Sequence, residues 1–196
     1  MTNEIFRDRE RAQEANYFRQ QDEKLLESLR KRAPLDEIAR ALGEKLQIEN
    51  PELLERVRKL GLNPEAAPAL FVAPLVQVAW AENKITRDEQ DAVLRLSLGR
   101  GIDKDSPVYA QILEWLADRP SDELFDTALD LLKYGFAVLP ENEREDRIKR
   151  IVEACHEIAE ASGGGLGRLL GLGSAVSSDE SSILDSINGT LRAPAS

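Results

Sequence analysis

The feature that most constrains this chain is one long apolar stretch, residues 66–81, near the middle of the sequence. It is too apolar for the surface of a globular protein, because a surface helix keeps one polar face. Pro68, Pro74 and Gln77 interrupt it, so it is not a candidate for the run of about 20 apolar residues that spans a bilayer. Pro74 must lie in the first turn of a helix or produce a kink. The stretch therefore predicts a buried central helix.

The rest of the chain carries apolar residues at helical spacing, and no stretch shows a convincing period of two. Helix starts are marked by Asn-Pro at residues 50–51, Ser-Pro at residues 106–107, and the capping residues Thr86, Ser121 and Ser177. The sequence therefore predicts an all-α protein, a multi-helix bundle without a sheet.

Two capping boxes, at residues 86–89 and 177–180, indicate an internal repeat. In each box a Thr or Ser stands three positions before a Glu, so that each side chain satisfies a free backbone N–H at the helix start. Apolar residues follow both boxes at offsets of six, seven and ten positions: Ala92, Val93 and Leu96 after the first, Ile183, Leu184 and Ile187 after the second. The pattern predicts two related helix–loop–helix units that pack together.

Residues 75–89 read Leu-Val-Gln-Val-Ala-Trp-Ala-Glu-Asn-Lys-Ile-Thr-Arg-Asp-Glu, and residues 159–161 lead through a glycine-rich run to the second box. Over about residues 68–187 the chain resembles, through these segments, the TerB-like, tellurite-resistance-associated family of all-helical domains. The resemblance implies a stress-associated, non-catalytic domain whose partners are proteins.

Members of that family often have Ala-Asp-Gly before the capping box, and this chain has Ala-Glu-Asn at residues 81–83. Asn can replace Gly where the backbone φ is positive. Glu in place of Asp lengthens the acidic arm. Glu82, Asp88 and Glu89 are the candidate ligands of a weakly held divalent cation, and no other cofactor is expected.

Residues 1–33 predict a long charged helix ahead of the bundle. Fifteen charged groups of alternating sign fall between Glu4 and Arg32. The apolar stripe is thin, so this helix needs a partner protein, a second copy as in a homodimer, or a place on its own domain. The candidate partner-binding residues are Tyr17, Phe18, Arg19, Leu25 and Leu29.

Residues 6–19 read Phe-Arg-Asp-Arg-Glu-Arg-Ala-Gln-Glu-Ala-Asn-Tyr-Phe-Arg, and over residues 6–32 the segment resembles the helical inhibitor proteins of the rotary F1 ATPase. The resemblance implies F1 ATPase subunits as partners. The mitochondrial inhibitors use histidines in this helix as a pH switch, and this segment has none. Inhibition by this chain would therefore not be gated by pH through that device.

Residues 34–63 predict short connecting helices. Residues 37–43 look like the first helix of a helix-turn-helix, but the next helix has no Asn or Gln suited to base edges, which favours a scaffold. One amphipathic face is formed by Leu35, Ile38, Ala39, Leu42 and Leu46. The TerB-like domain is expected over residues 64–189, with a disordered tail over residues 190–196.

The net charge of −10 is confined to the second part of the chain. Residues 1–60 carry 13 basic and 13 acidic groups, and residues 61–196 carry 13 basic and 23 acidic groups. Nucleic-acid affinity comes largely from cationic contacts with phosphates, so the acidic part disfavours a nucleic-acid partner. Solubility is the simplest interpretation of this acidity.

The chain has one cysteine and one histidine, which exclude a disulfide framework and any site built on two imidazoles. Cys155 and His156 are adjacent and point about 100° apart on a helix, so they cannot act as nucleophile and base together. Cys155 is predicted to be a core residue. The glycine-rich run at residues 163–173 lacks the Lys-Ser/Thr of a phosphate-binding loop and is read as a mobile loop or an apolar docking element. Trp80 and Trp115 are expected to be buried.

These observations favour a cytoplasmic, non-enzymatic protein-interaction module that docks through its N-terminal helix. A regulator of the F1 ATPase acting through residues 5–32 is the first alternative. A stress protein that binds a divalent cation weakly is the second.

Overall fold

The computed structural model describes residues 49–162 and 176–193, and in these two ranges every regular element is a helix and none is a strand. Within these ranges lie seven α-helices and one 3₁₀-helix: α1 (Pro51–Lys59), the 3₁₀-helix (Ala67–Phe71), α2 (Ala73–Ala79), α3 (Arg87–Gly99), α4 (Pro107–Ala117), α5 (Asp122–Ala137), α6 (Glu141–Ser162) and α7 (Ser178–Arg192). The prediction of an all-α bundle is confirmed.

The apolar stretch forms the 3₁₀-helix and then α2, which starts with Pro74 in its first turn as expected. Ala73, Leu75, Val76 and Val78 are all 0% exposed. Although α2 has only seven residues, it packs against the 3₁₀-helix and against each of α3, α4, α5, α6 and α7. The predicted central helix is therefore confirmed.

Local capping chemistry sets most helix starts. The Asn50 side chain accepts the backbone N–H of Leu53 at 3.1 Å, which fixes the start of α1 beside the proline at its first position. Ser106 and Ser121 cap α4 and α5 in the same way. Gly61 follows α1 with a φ of 68°, a conformation that glycine adopts without strain.

The end of α7 corrects the sequence analysis, which ended the bundle at Gly189 and assigned residues 190–196 to a tail. The helix continues to Arg192. A helical glycine costs about 1 kcal/mol relative to alanine. That cost is offset because Leu191 is buried at 2% exposure and the Arg192 guanidinium pairs with the Glu145 carboxylate on α6.

The two tryptophans differ in burial. Trp115 is 5% exposed, as predicted, whereas Trp80 is only partly buried. Trp80 stands at the end of α2, and its indole Nε1–H donates to the backbone carbonyl of Trp115 at 2.8 Å. The polar edge of the ring is satisfied in this way while the rest packs against the core.

Several predictions fall outside the described residues. These are the N-terminal helix of residues 1–33, the apolar face of residues 35–46 and the glycine-rich run at residues 163–173.

We expect Leu75→Ala to lower the free energy of unfolding by about 2–5 kcal/mol, because it opens a cavity inside the most enclosed helix. Leu113→Ala is the matched control, since Leu113 is 40% exposed, and it should cost about 1 kcal/mol or less. Urea unfolding of both variants measures the difference. Similar losses at the two positions would show that α2 is not the centre of the core.

Candidate functional site

The two helix–loop–helix units pack reciprocally. The first unit is α2 with α3, and the second is α6 with α7. The first helices α2 and α6 pack together, α3 packs on α6, and α7 packs on α2. This is the arrangement expected when two related units bury the same face against each other, and it agrees with the predicted repeat.

Both predicted capping boxes are formed. At the start of α3, the backbone N–H and the hydroxyl of Thr86 donate to Glu89 Oε2 at 2.6 and 2.7 Å, and the Glu89 N–H donates to Thr86 Oγ1 at 3.3 Å. At the start of α7, the Ser177 N–H donates to Glu180 Oε2 at 2.6 Å, and the Glu180 N–H donates to Ser177 Oγ at 3.2 Å. The local geometry of the two units is therefore alike.

The capping glutamates are buried, which the sequence analysis missed. Glu89 is 3% exposed and Glu180 is 0% exposed, although glutamate is rarely buried without a partner. The sequence nevertheless contained a signal for the burial of these glutamates. The glutamate stands at offset three from the Thr or Ser, and the apolar residues at offsets six, seven and ten lie on the same face of the helix. Each glutamate therefore begins the stripe that faces the core.

Burial perturbs the acid equilibrium of Glu89. Desolvation raises the pKa of Glu89, the hydrogen bonds from Thr86 oppose this rise, and the negative charges of Glu180 and Glu82 add to it. The influence of Glu180 means that the starts of α3 and α7 lie within electrostatic range of each other. Each unit thus contributes one buried carboxyl group at the start of its second helix.

The loop between α2 and α3 contains one residue with a positive backbone φ. Asn83 has a φ of 58°, so it occupies the left-handed region in which asparagine replaces glycine most readily. Its N–H donates to the Trp80 carbonyl at 2.9 Å, which closes the turn after α2. Glu82 and Lys84 flank it on the surface, with Glu82 Oε2 lying 3.9 Å from Lys84 Nζ.

The three candidate cation ligands do not converge. Glu89 turns inward and accepts the Thr86 hydrogen bonds, whereas Glu82 and Asp88 are exposed. Within the described ranges, no group of three or more His, Cys, Asp or Glu side chains is placed to hold a metal ion. Glu82, Asp88 and Glu89 are thus not gathered into such a group in the described structure, in which the capping box uses the carboxylate of Glu89.

Cys155 is a core residue, as predicted. It is 0% exposed on α6, and burial raises the pKa of its thiol to about 12, with the nearby Arg100 charge opposing the rise. A thiol held protonated in this way is a poor nucleophile. His156 is exposed beside it. Arg100 Nη1 donates to the Leu96 carbonyl at 3.0 Å on α3.

A polar junction fastens α1 to α5, and sequence reasoning missed it as well. Arg56 Nη1 lies 2.7 Å from Asp130 Oδ2, and Arg56 Nη2 donates to the buried Thr127 Oγ1 at 3.2 Å. The Tyr134 hydroxyl donates to Glu49 Oε2 at 2.8 Å. Partial burial, together with the Glu49 hydrogen bond and charge, raises the pKa of Tyr134 to about 12.

This α1–α5 junction, made by Glu49 and Arg56 with residues of α5, is where the described chain begins. Glu49, the first described residue, is therefore held to α5 through Tyr134. The candidate partner-binding residues Tyr17, Phe18, Arg19, Leu25 and Leu29 lie outside the described part of the chain.

Comparisons with protein-family models, curated proteins and solved structures gave no match to this chain. The TerB-like and inhibitor-like resemblances therefore rest on the residues quoted for them. Over residues 49–162 and 176–193, no helix has both the length and the apolar character required to cross a membrane.

Glu89→Gln should change the pH dependence of stability in a defined direction. Burial raises the pKa of Glu89 in the folded protein, so its contribution to the free energy of unfolding is fully present below the unfolded-state pKa. That contribution is lost as the pH rises through the folded-state pKa. A neutral glutamine still completes a capping box and does not suffer this loss.

Urea unfolding at about pH 3.5 and about pH 7, which lie on either side of the usual pKa of a glutamate side chain, measures the effect. Relative to the wild type, Glu89→Gln should gain stability as the pH rises. The control is Asp88→Asn in the same helical turn, whose side chain is exposed and which should show no such gain. Parallel pH profiles for Glu89→Gln and the wild type would contradict the role assigned to the buried carboxyl group.

Proposed function

We propose that this protein is a non-enzymatic protein-interaction module. In this proposal a TerB-like helical body carries an N-terminal docking helix, and the contacts with the partner protein are made by Tyr17, Phe18, Arg19, Leu25 and Leu29. A cytoplasmic, stress-associated role goes with the TerB-like resemblance and is part of the same proposal.

The observation that carries the proposal is where the N-terminal segment joins the body. Within the described residues, α1 buries one side chain, Leu53, and makes extensive contact with one other helix, α5. The core around α2 is built from the 3₁₀-helix and α3 to α7. α1, the first described helix, therefore lies at the periphery of the bundle, and the proposal has the segment before it engage a partner.

Two further features support the TerB-like part of the proposal. The first is the left-handed Asn83 at the position where the family often has glycine. The second is the reciprocal packing of two units that each start their second helix with a capping box. The charge distribution favours a protein over a nucleic acid as the partner, because the whole net charge of −10 lies in residues 61–196.

Substitution on the two faces of the N-terminal segment tests the proposal. Phe18→Asp with Leu25→Asp places two charges on the apolar stripe and should abolish partner capture, because a buried charge without a counter-ion is costly. The melting temperature should stay nearly unchanged, since the segment is proposed to lie outside the core. Affinity capture from a cell extract, compared with a chain lacking residues 1–33, measures the loss.

The matched control is Gln13→Asp with Gln20→Asp. These positions are also seven residues apart, lie about 140° around a helix from Phe18 and Leu25, and add the same charge. Because they flank Tyr17, this control isolates the contribution of Phe18 and Leu25. The control should retain every protein that the stripe variant loses. A large drop in melting temperature for the stripe variant would instead place Phe18 and Leu25 in the core and would overturn the proposal.

The identity of the captured proteins decides between the candidate functions. Recovery of F1 ATPase subunits, together with slower ATP hydrolysis by purified F1 ATPase when the full chain is added, would support the regulator of residues 5–32. Recovery of other proteins with the same dependence on the stripe would support the general interaction module.

A further inference from the structure

The first described helix, α1, has a narrow attachment to the bundle. Within the described residues it makes extensive contact with one other helix, α5, and Leu53 is the one buried residue among its nine. Leu54 and Val57 are partly buried and pack against the core. A helix of this length is only marginally stable in water by itself. The structure of α1 therefore depends on its contact with α5.

The polar part of that contact is open to solvent. Arg56 Nη1 lies 2.7 Å from Asp130 Oδ2, and each of the two side chains is 39% exposed. The Arg56 guanidinium also donates to Thr127 Oγ1 at 3.2 Å. Dissolved ions screen the attraction between exposed charges, and the screening grows with ionic strength. The α1–α5 junction therefore contains an interaction that salt weakens.

The link from α1 to the core allows α1 to move as a unit. Residues 60–66 lie between α1 and the 3₁₀-helix and belong to neither, and Gly61, Asn63, Pro64 and Glu65 are exposed. Gly61 has a φ of 68°, and a glycine changes its backbone direction there without a side-chain clash. Fully extended, these residues span about 25 Å. This length allows α1 to leave α5 while the 3₁₀-helix and α2 stay in place.

We infer that α1 is a strap, which opens from α5 as a unit while α2 to α7 stay folded, and that ionic strength controls how often it opens. Opening uncovers Thr127, which is 0% exposed while the strap is closed, and separates Glu49 from the Tyr134 hydroxyl. The inference stands apart from the proposed function, because it uses only the contacts of α1 and α5 and the link that follows α1.

Native-state hydrogen exchange of the full chain, followed by mass spectrometry, tests this inference. Amides of α1 should exchange faster than those of α2 and α6, because a local opening exposes α1 alone. Raising NaCl from about 0.01 M to about 1 M shortens the screening length from about 30 Å to about 3 Å. Relative to α2 and α6, exchange of α1 should then become about two- to fivefold faster, the range expected for an exposed ion pair.

Asp130→Asn separates the ion pair from other effects of salt. At low salt this variant should speed the exchange of α1 by about the same two- to fivefold, and NaCl should then have little further effect. The matched control is Asp122→Asn, which removes the ion pair between Arg119 and Asp122 at the start of α5, outside the α1–α5 junction. It should leave both the exchange of α1 and its response to salt unchanged.

Leu53→Ala opens the strap through its apolar contact instead. Loss of the buried side chain should speed the exchange of α1 by more than Asp130→Asn does, while NaCl still acts because the ion pair remains. Amides of α2 and α6 should stay protected in both variants, which distinguishes an open strap from an unfolded protein.

Three results would overturn the inference. The first is exchange of α1 at the same rate as α2 and α6, since α1 would then open only with the whole bundle. The second is the same response to salt in Asp130→Asn as in the wild type. The third is exchange of α1 that slows as the protein concentration rises, which would assign the contact with α5 to a second copy of the chain.

Discussion

The enclosure of α2 is the constraint on which the rest of the structure depends. A seven-residue helix contributes little intrinsic stability, because nucleation is costly and few backbone hydrogen bonds follow. Its side chains are nevertheless almost fully removed from water, since five helices and the 3₁₀-helix pack around it. Burial of an aliphatic side chain stabilises the fold by about 1.5–3 kcal/mol. Packing against its neighbours therefore stabilises α2, and α2 in turn is the common surface on which those neighbours pack.

The buried capping glutamates follow from the same packing. Where α3 and α7 pack against the central pair α2 and α6, one residue of each first turn faces inward, beside backbone N–H groups that lack partners within the helix. Glu89 and Glu180 supply acceptors at these two positions. Each carboxyl group accepts a backbone hydrogen bond but loses contact with water. For Glu89, this loss of hydration is the main reason why the pKa is raised.

The sequence predicted those interactions whose partners lie close together along the chain. Caps such as those of Thr86 and Ser177 act over three residues and were predicted with their partners. The contact of Arg56 with Asp130 joins residues 74 positions apart, and no local pattern distinguishes Arg56 from a solvated charge. The helix end at Gly189 was predicted wrongly for a related reason, because the contacts that carry α7 on to Arg192 come from α6. The sequence also does not show which way a capping glutamate points, and in the structure Glu89 is buried whereas Glu82 and Asp88 are exposed.

The buried carboxyl groups and the α1–α5 junction lie in two different parts of the molecule. The carboxyl groups lie where α3 and α7 meet the central helices, whereas the junction lies on α5, which contacts α2 on one side and α1 on the other. Thr127 shows this division within a single helix, since it is fully buried and yet accepts a hydrogen bond from Arg56. Substitutions that loosen the attachment of the N-terminal segment can therefore leave the core intact, provided they spare the inner face of α5.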